Sequence, residues 1–306
     1  MEINKALLKL NKLKNNDYII FLFHGVIKQN NYHIRNYSNK HINKKKFLTF
    51  LKKCKKIGNS ISIEDLVDYQ KRKKKLPKKS FIISFDDGFE NNYSVAIPIL
   101  KKLNIPAVFY LSTDFVENNS MSWIDKVEYC FENYDFNLSL PWRSKSILLN
   151  NGKKKIKYLD EIRKIVKSNK KIDVNKFVKN IFNQTGIKLK NKLFTKIDKK
   201  LSWDQVKKIN KLDLFTIGGH SHEHVSLGLL SKSKMKNQIF KSFNLFKKRI
   251  NLNPKHYSYP EGQKIDFNHN VQKILREKKI VVCPTAINGI NNLDTDLFLL
   301  RRIIIN

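Results

Sequence analysis

The chain has 306 residues, 41% of them hydrophobic, and a formal net charge of +35 from 61 Lys and Arg against 26 Asp and Glu. That length and apolar content allow a large buried core, at the upper end of what one α/β domain usually holds. Three isolated cysteines, Cys54, Cys130 and Cys283, exclude a disulfide framework, and no apolar stretch approaches the length of a membrane span.

The chain opens with a short amphipathic stretch, Met1 to Asn16. Tyr18 to Phe23 is short, continuous and apolar, which predicts a buried strand. Lys44 to Ile57 follows as a helix whose stripe is Phe47, Leu48, Phe50, Leu51 and Cys54. Ser62 caps a second helix, Ile63 to Gln70, before a basic loop. The strand Phe81 to Phe85 leads into a helix through Leu103 that carries Pro98. Asn104-Ile105-Pro106 marks a turn before the strand Ala107 to Leu111. Between Cys130 and Leu201 the pattern weakens and Lys becomes dense, which predicts an insertion at about 130–200 with helices of its own within a single domain spanning 1–306. The rhythm then resumes: helix from Trp203 to Lys211, strand Phe215 to Ile217, and long helix Ser231 to Ile250. Short strands at His256 to Tyr259 and Ile280 to Cys283 bracket a helix near 268–278, and Phe298 to Ile305 closes the chain. Repeated strand–helix units imply a parallel sheet or barrel with helices outside, in which chemistry gathers at the C-terminal strand ends.

Four polar segments fall just after predicted strands: His24, Asp86-Asp87, Gly218 to His224, and Pro260-Glu261-Gly262. Asp87, His220 and His224 offer one carboxylate and two imidazoles, a set that suits zinc and leaves a position open. On a helical turn, His220 and His224 are four apart and share a face, while His222 points elsewhere. An extended segment would instead pair His222 with His224. Two adjacent carboxylates at one strand end are costly unless a cation compensates one of them, so an ion on Asp87 leaves Asp86 ionised as a base. The competing readings are an Asp-Gly turn and an exposed histidine-rich loop.

These segments resemble the polysaccharide deacetylases, the NodB-homology or carbohydrate esterase family 4 group. Ser84-Phe85-Asp86-Asp87-Gly88 is similar to that family's T-F-D-D-G motif, and His220-Ser221-His222-Glu223-His224 to its H-[S/T]-x-x-H motif. Ala96 to Leu100, Ile105 to Leu111 and Tyr257 to Gly262 fit as well, and the likeness runs from about Ile20 to Ile303. It implies a distorted (β/α)7 TIM-like barrel and removal of an acetyl group from an N-acetylated amino sugar in a polysaccharide or its glycan precursor. It further implies a divalent metal on Asp87, His220 and His224, zinc first, with cobalt, nickel or iron also tolerated. Asp86 becomes the catalytic base, and the backbone N–H of Glu261 the oxyanion donor. No late L-x-H motif supplies an acid, but Phe23-His24-Gly25-Val26 resembles the early Y-H-x-[I/V] segment of a rearranged subgroup, which makes His24 the general acid. Where many members carry an arginine that orients the base, this chain has Ser258. The ending Leu300-Arg301-Arg302-Ile303 offers Arg302 in its place, against the alternative of two exposed arginines on a terminal strand.

The charge invites a nucleic-acid or anionic-membrane partner. The lysines, however, are spread along the whole chain with abundant Asn and Ile, as AT-rich codon use would give, and no recognition-helix, finger or RNP-like pattern is present. An acetylated carbohydrate is therefore the expected partner, with no specific nucleic acid and room for peripheral membrane contact through the basic surface. The apolar run Tyr18 to Phe23 is too short for a signal-peptide core, so the chain reads as cytoplasmic or peripheral at the inner membrane. Two rival functions stay open: a catalytically silent carbohydrate- or nucleic-acid-binding barrel, and metal-dependent hydrolysis of a non-sugar C–N bond.

Overall fold

Mostly apolar segments form strands β1 (Asp17–Phe23), β2 (Ser80–Phe85, with Ser80 and Ser84 its polar positions) and β3 (Ala107–Leu111), and the mixed segment Phe-Thr-Ile-Gly-Gly forms β4 (Phe215–Gly219). They belong to a computed structural model that describes residues 3–169, 171–186 and 195–306. The four strands are parallel and neighbours in that order, with Phe21 opposite Ile83, Phe85 opposite Phe109, and Leu111 opposite Gly219. The terminal strand β5 (Ile303–Ile304) lies parallel to β1, with Phe21 opposite Ile303. The two-residue strand Asn59–Ser60 joins the start of β2, and Asn291–Asn292 pairs antiparallel with the start of β1.

Beyond β4 the ring continues through single bridges. Gly219 pairs with Tyr257, and His256 with Val282. Cys283 N–H then donates to Leu297 O at 2.9 Å, Thr285 N–H to Leu300 O at 2.8 Å, and Ile305 N–H to Leu22 O at 3.0 Å. The wall therefore returns to β1 and closes a distorted (β/α) barrel. The strands predicted at 256–259 and 280–283 contribute isolated bridges, because only one or two residues of each run alongside their neighbours.

Period-two alternation divides the strand residues between two cores. Phe21, Phe23, Phe81, Ile83, Phe85 and Phe109 face the helices outside, where Phe85 stacks on Phe109 with ring centroids 4.9 Å apart. Tyr18, Ile20, Ile82, Val108 and Tyr110 fill the interior with Val282 and Leu300. Each such side chain contributes about 1.5–3 kcal/mol by leaving water. The helix Lys44–Ile57 buries Phe47, Phe50, Leu51 and Cys54 on the outer face. The helix Ile63–Lys71 starts at a capping box in which Ser62 and Asp65 satisfy each other's backbone N–H groups. Before Pro98 the expected helix is wound as a π-helix over Asn92–Ala96, and becomes α-helical over Ile97–Leu103. Pro98 sits in the first α-turn, where its missing N–H is not needed. The helices Trp203–Asn210, Lys232–Ile250 and His269–Glu277 complete the outer layer.

The described residues divide into two compact units. The barrel is built from Met1–Gln29, Lys40–Asn119 and Lys199–Asn306; the second unit comprises Asn30–Asn39 and Ser120–Asp198. This second unit contains helices Trp123–Asn133, Gly152–Ser168 and Val174–Gln184 and an antiparallel pair, Phe136–Leu138 with Ile147–Leu149. Val127, Phe131, Leu159, Ile162, Phe177 and Ile181 form its core. Arg35 is buried there and pairs with Asp198, Asp125 and Glu128. Residues 170 and 187–194 of the expected insertion lie outside the described residues. Among the described residues no helix is long and apolar enough to cross a membrane.

Candidate active site

Strand β2 continues one residue past its end, because Asp86 N–H still donates to Phe23 O at 3.0 Å. The chain then turns through two left-handed residues, Asp87 at φ 74° and Gly88 at φ 81°. Aspartate is among the few side chains that accept this region, and glycine enters it without strain. Asp86 and Asp87 are both buried at this corner.

The His220–His224 segment is not a helical turn. It is an irregular loop with left-handed residues at Ser221 (φ 60°) and His224 (φ 53°). That path still brings the two rings together, with centroids 4.9 Å apart. His220 is the first residue beyond β4, and its N–H donates to Leu111 O at 3.0 Å. Its Nδ1 lies 2.9 Å from Ser258 O. A carbonyl can only accept, so Nδ1 carries the proton and Nε2 presents its lone pair to the carboxylates. Phe115 stacks against His224 at 5.8 Å between centroids. His222 turns away and meets Thr113 Oγ1 through Nδ1 at 3.0 Å.

Asp87 Oδ1 lies 3.2 Å from His224 Nε2 and 3.7 Å from His220 Nε2. One ligand atom from each of Asp87, His220 and His224 falls within 4.8 Å of the other two. Asp87 Oδ1 is buried and accepts no hydrogen bond of ordinary geometry. A buried acceptor facing two imidazole nitrogens fits a divalent cation of the zinc type.

Asp86 is gripped from the other side. Arg302 Nη1 and Nη2 donate to its two carboxylate oxygens, each at 2.8 Å. The same guanidinium donates from Nη2 to Ser258 Oγ at 2.8 Å and from Nε to Thr285 O at 2.6 Å. Arg302 is fully buried while Arg301 is exposed, so the terminal segment is not the strand with two exposed arginines that the sequence left as the alternative. Ser258 accepts this hydrogen bond and so holds the arginine that comes from the chain end.

Charge and burial set the protonation states. Burial opposes ionisation of Asp86, but the Arg302 guanidinium outweighs it and keeps the carboxyl below its usual range. Burial likewise opposes Asp87, which His224 and Lys40 draw well below that range. His220 is shifted down by burial; His224 is shifted up, because Asp87 outweighs its desolvation.

His24 sits between β1 and the short strand Gly25–Ile27, with Asp87, Lys40, Asp86 and Arg302 as its electrostatic neighbours. Its Nδ1 is buried without a hydrogen-bond partner, and burial pushes the ring down to about 4. Glu261 occupies a left-handed turn (φ 61°) followed by Gly262 (φ 64°), and its charge acts on His224. A Cβ on Gly262 would stand 2.4 Å from Ala286 N, so glycine is required there.

Lys40 was not singled out by the sequence. Its Nζ lies 3.3 Å from Asp87 Oδ2. It is one of 61 basic residues and follows no motif, so only the packing distinguishes it.

Residues 73–282 match the sequence model of the polysaccharide deacetylase family, more than two thirds of the chain. The chain belongs to the polysaccharide deacetylase family. A poly-beta-1,6-N-acetyl-D-glucosamine N-deacetylase of Staphylococcus aureus (strain N315) is 42% identical to this deacetylase-family chain over 59 residues, 19% of this chain and 20% of the relative. The Staphylococcus epidermidis protein of the same name is 39% identical over 56 residues, 18% and 19% of the two chains. The match thus spans about a fifth of the length of these relatives. Among solved structures, the Streptococcus pyogenes deacetylase PplD in complex with acetate superposes with a TM-score of 0.61 at 17% identity, covering 95% of this chain and 93% of that one. IcaB from Ammonifex degensii gives 0.60 at 16%, with 95% and 92% covered. A de-N-acetylase from Aggregatibacter actinomycetemcomitans gives 0.60 at 18%, with 95% of each covered. At these identities the structures establish a shared fold, that of the (β/α) barrel described above.

Proposed function

We propose that this protein hydrolyses the N-acetyl group of an amino sugar within a polysaccharide or its glycan precursor, using a divalent metal. The observation that carries the reading is the juxtaposition of Asp87, His220 and His224 with an Asp86 clamped by Arg302. The printed names of the relatives, deacetylases of an N-acetylglucosamine polymer, support the same substrate class.

Asp87, His220 and His224 would hold the ion, zinc first, although cobalt, nickel and iron accept the same donors. When bound, such an ion polarises a carbonyl and makes water acidic near neutral pH. Asp86 is then the base. The Arg302 fork fixes both of its oxygens in direction and keeps it ionised, so it is ready to receive a proton without reorienting. The Glu261 N–H is assigned to the developing oxyanion. His24 is assigned as donor to the departing amine. At neutral pH its ring starts uncharged, so the proton it gives to the amine must first reach it inside the site, and the one available is the proton that Asp86 takes from water. The barrel unit is read as the catalytic domain, and the second unit as an insertion in its chain.

Acetate release from N-acetyl-hexosamine oligomers by zinc-reconstituted protein tests this directly. The expected result is turnover that chelator abolishes, zinc restores and Asp86→Asn eliminates. A protein that binds zinc yet releases no acetate from any such oligomer would instead favour the catalytically silent carbohydrate-binding alternative.

A further inference from the structure

Two carboxylates meet at the end of β2, and two cations from elsewhere in the barrel unit meet them. Asp86 has Arg302 on both oxygens. Asp87 has the His220–His224 pair on Oδ1 and Lys40 on Oδ2, at 3.3 Å. The Lys40 side chain is only 17% exposed and that of Asp87 only 3%, so water and salt screen this pair weakly. Phe89 holds the ammonium in place, its ring centroid 4.7 Å from Lys40 Nζ, and Lys200 Nζ lies over the same ring at 3.3 Å. The carboxylate charge of the site is thus balanced by protein cations.

We infer that Lys40 and the divalent ion compete for Asp87, so that Lys40 is the counter-charge the ion displaces on binding. The inference rests on the metal reading given above. A divalent ion between Asp87 Oδ1 and the two imidazoles would share one small carboxylate with the ammonium. The two positive charges would then repel within a few ångström in a poorly screened corner. Arginine forks are rigid, whereas lysine is a point charge on a flexible four-carbon stem. Arg302 therefore stays on Asp86, and Lys40 is the cation able to yield. Its consequence is a metal affinity lower than the three ligands alone would give, together with a site that does not carry an unbalanced buried carboxylate when metal is scarce.

The test is calorimetric titration of zinc into chelator-stripped full-length protein at fixed pH and salt, with melting temperatures recorded before and after zinc. Lys40→Met is expected to bind zinc at least about tenfold more tightly than the native chain, a conservative figure for removing a unit charge so close to a divalent ion. Stripped Lys40→Met should melt a few degrees below the stripped native protein, because Asp87 Oδ2 has lost its cation, and zinc should close that gap. Lys40→Arg, which keeps the charge, should track the native chain in both readouts. If the methionine variant does not fold, Lys40→Gln repeats the measurement with a polar head group. Native protein that binds zinc while the neutral variants bind it equally or more weakly overturns the role of Lys40 and leaves the metal site standing. Native protein that binds no divalent ion overturns the metal reading, and this inference with it.

Discussion

Replacing Arg302 with methionine should damage both stability and catalysis, and by different routes. Arg302 is fully buried and makes four hydrogen bonds, to both oxygens of Asp86, to Ser258 Oγ and to Thr285 O. Methionine fills part of the volume but leaves Asp86 buried at the barrel end without its cation. Breaking one side of a buried pair in this way costs roughly 3–5 kcal/mol, which corresponds to a fall in melting temperature on the order of 10 °C. Deleting the charge on both sides, as Asp86→Asn with Arg302→Met, should recover much of that loss, since no uncompensated ion remains. The catalytic signature is separate. Without the guanidinium, burial of Asp86 is opposed only by the smaller pull of His220 and His24, so its pKa rises and the acid limb of the kcat/KM profile should move to higher pH. Arg302→Lys keeps a charge but cannot reproduce the fork, so it should fall between the two. Urea unfolding and acetate release across pH measure both effects. If Arg302→Met unfolds at the native urea midpoint and its acid limb does not move, the clamp has no such role.

Zinc stoichiometry separates the histidines: His220→Ala and His224→Ala should lose the ion, whereas His222→Ala should keep it, since that ring bonds Thr113. Retention by His220→Ala with loss by His222→Ala would show that the extended-segment pairing is the right one. His24→Ala should lower kcat about 10²–10⁴-fold with little change in KM, and a kcat within threefold of native would remove His24 from the proton path. The acid stability of chelator-treated protein follows from the depressed carboxyls. Asp86 and Asp87 have folded pKa values below their unfolded ones, so their contribution is complete above the ordinary carboxylate pKa of about 3.9 and is lost as pH falls through the folded values. Unfolding free energy should therefore drop on acidification below about pH 4, and Asp87→Asn should flatten that drop; an unchanged slope would contradict the assignment.

Much of this arrangement is legible in one dimension because its signals are local. Tyr18 to Phe23 and Phe81 to Ile83 are apolar, short and uninterrupted, and burial on both faces makes each part of a strand. Ser62 marks a helix start because an N-cap acts within the first helical turn, to which the structure adds Asp65 as the other half of a capping box. Asp86, Asp87, His220 and His224 stand out because such residues are unusual directly after apolar strands. Regions lacking a local signal are read less well. The π-helical winding before Pro98 depends on what surrounds it, and the bridged stretches near 257 and 282 are too short for any periodicity. Arg35 lies far from the expected insertion, yet it joins that unit through Asp198, 163 positions away.

From residue types and spacing alone follow the alternation of strands and helices and the set of groups able to share a cation, since hydrophobic runs, caps and adjacent acids act over a few residues. Which arginine enters the barrel, what holds Asp86 across 216 positions, how an irregular loop aims two imidazoles at one oxygen, and that Lys40 stands on Asp87 are decided only when the ring closes. Such contacts bring together segments whose separation along the chain carries no energetic mark until they touch.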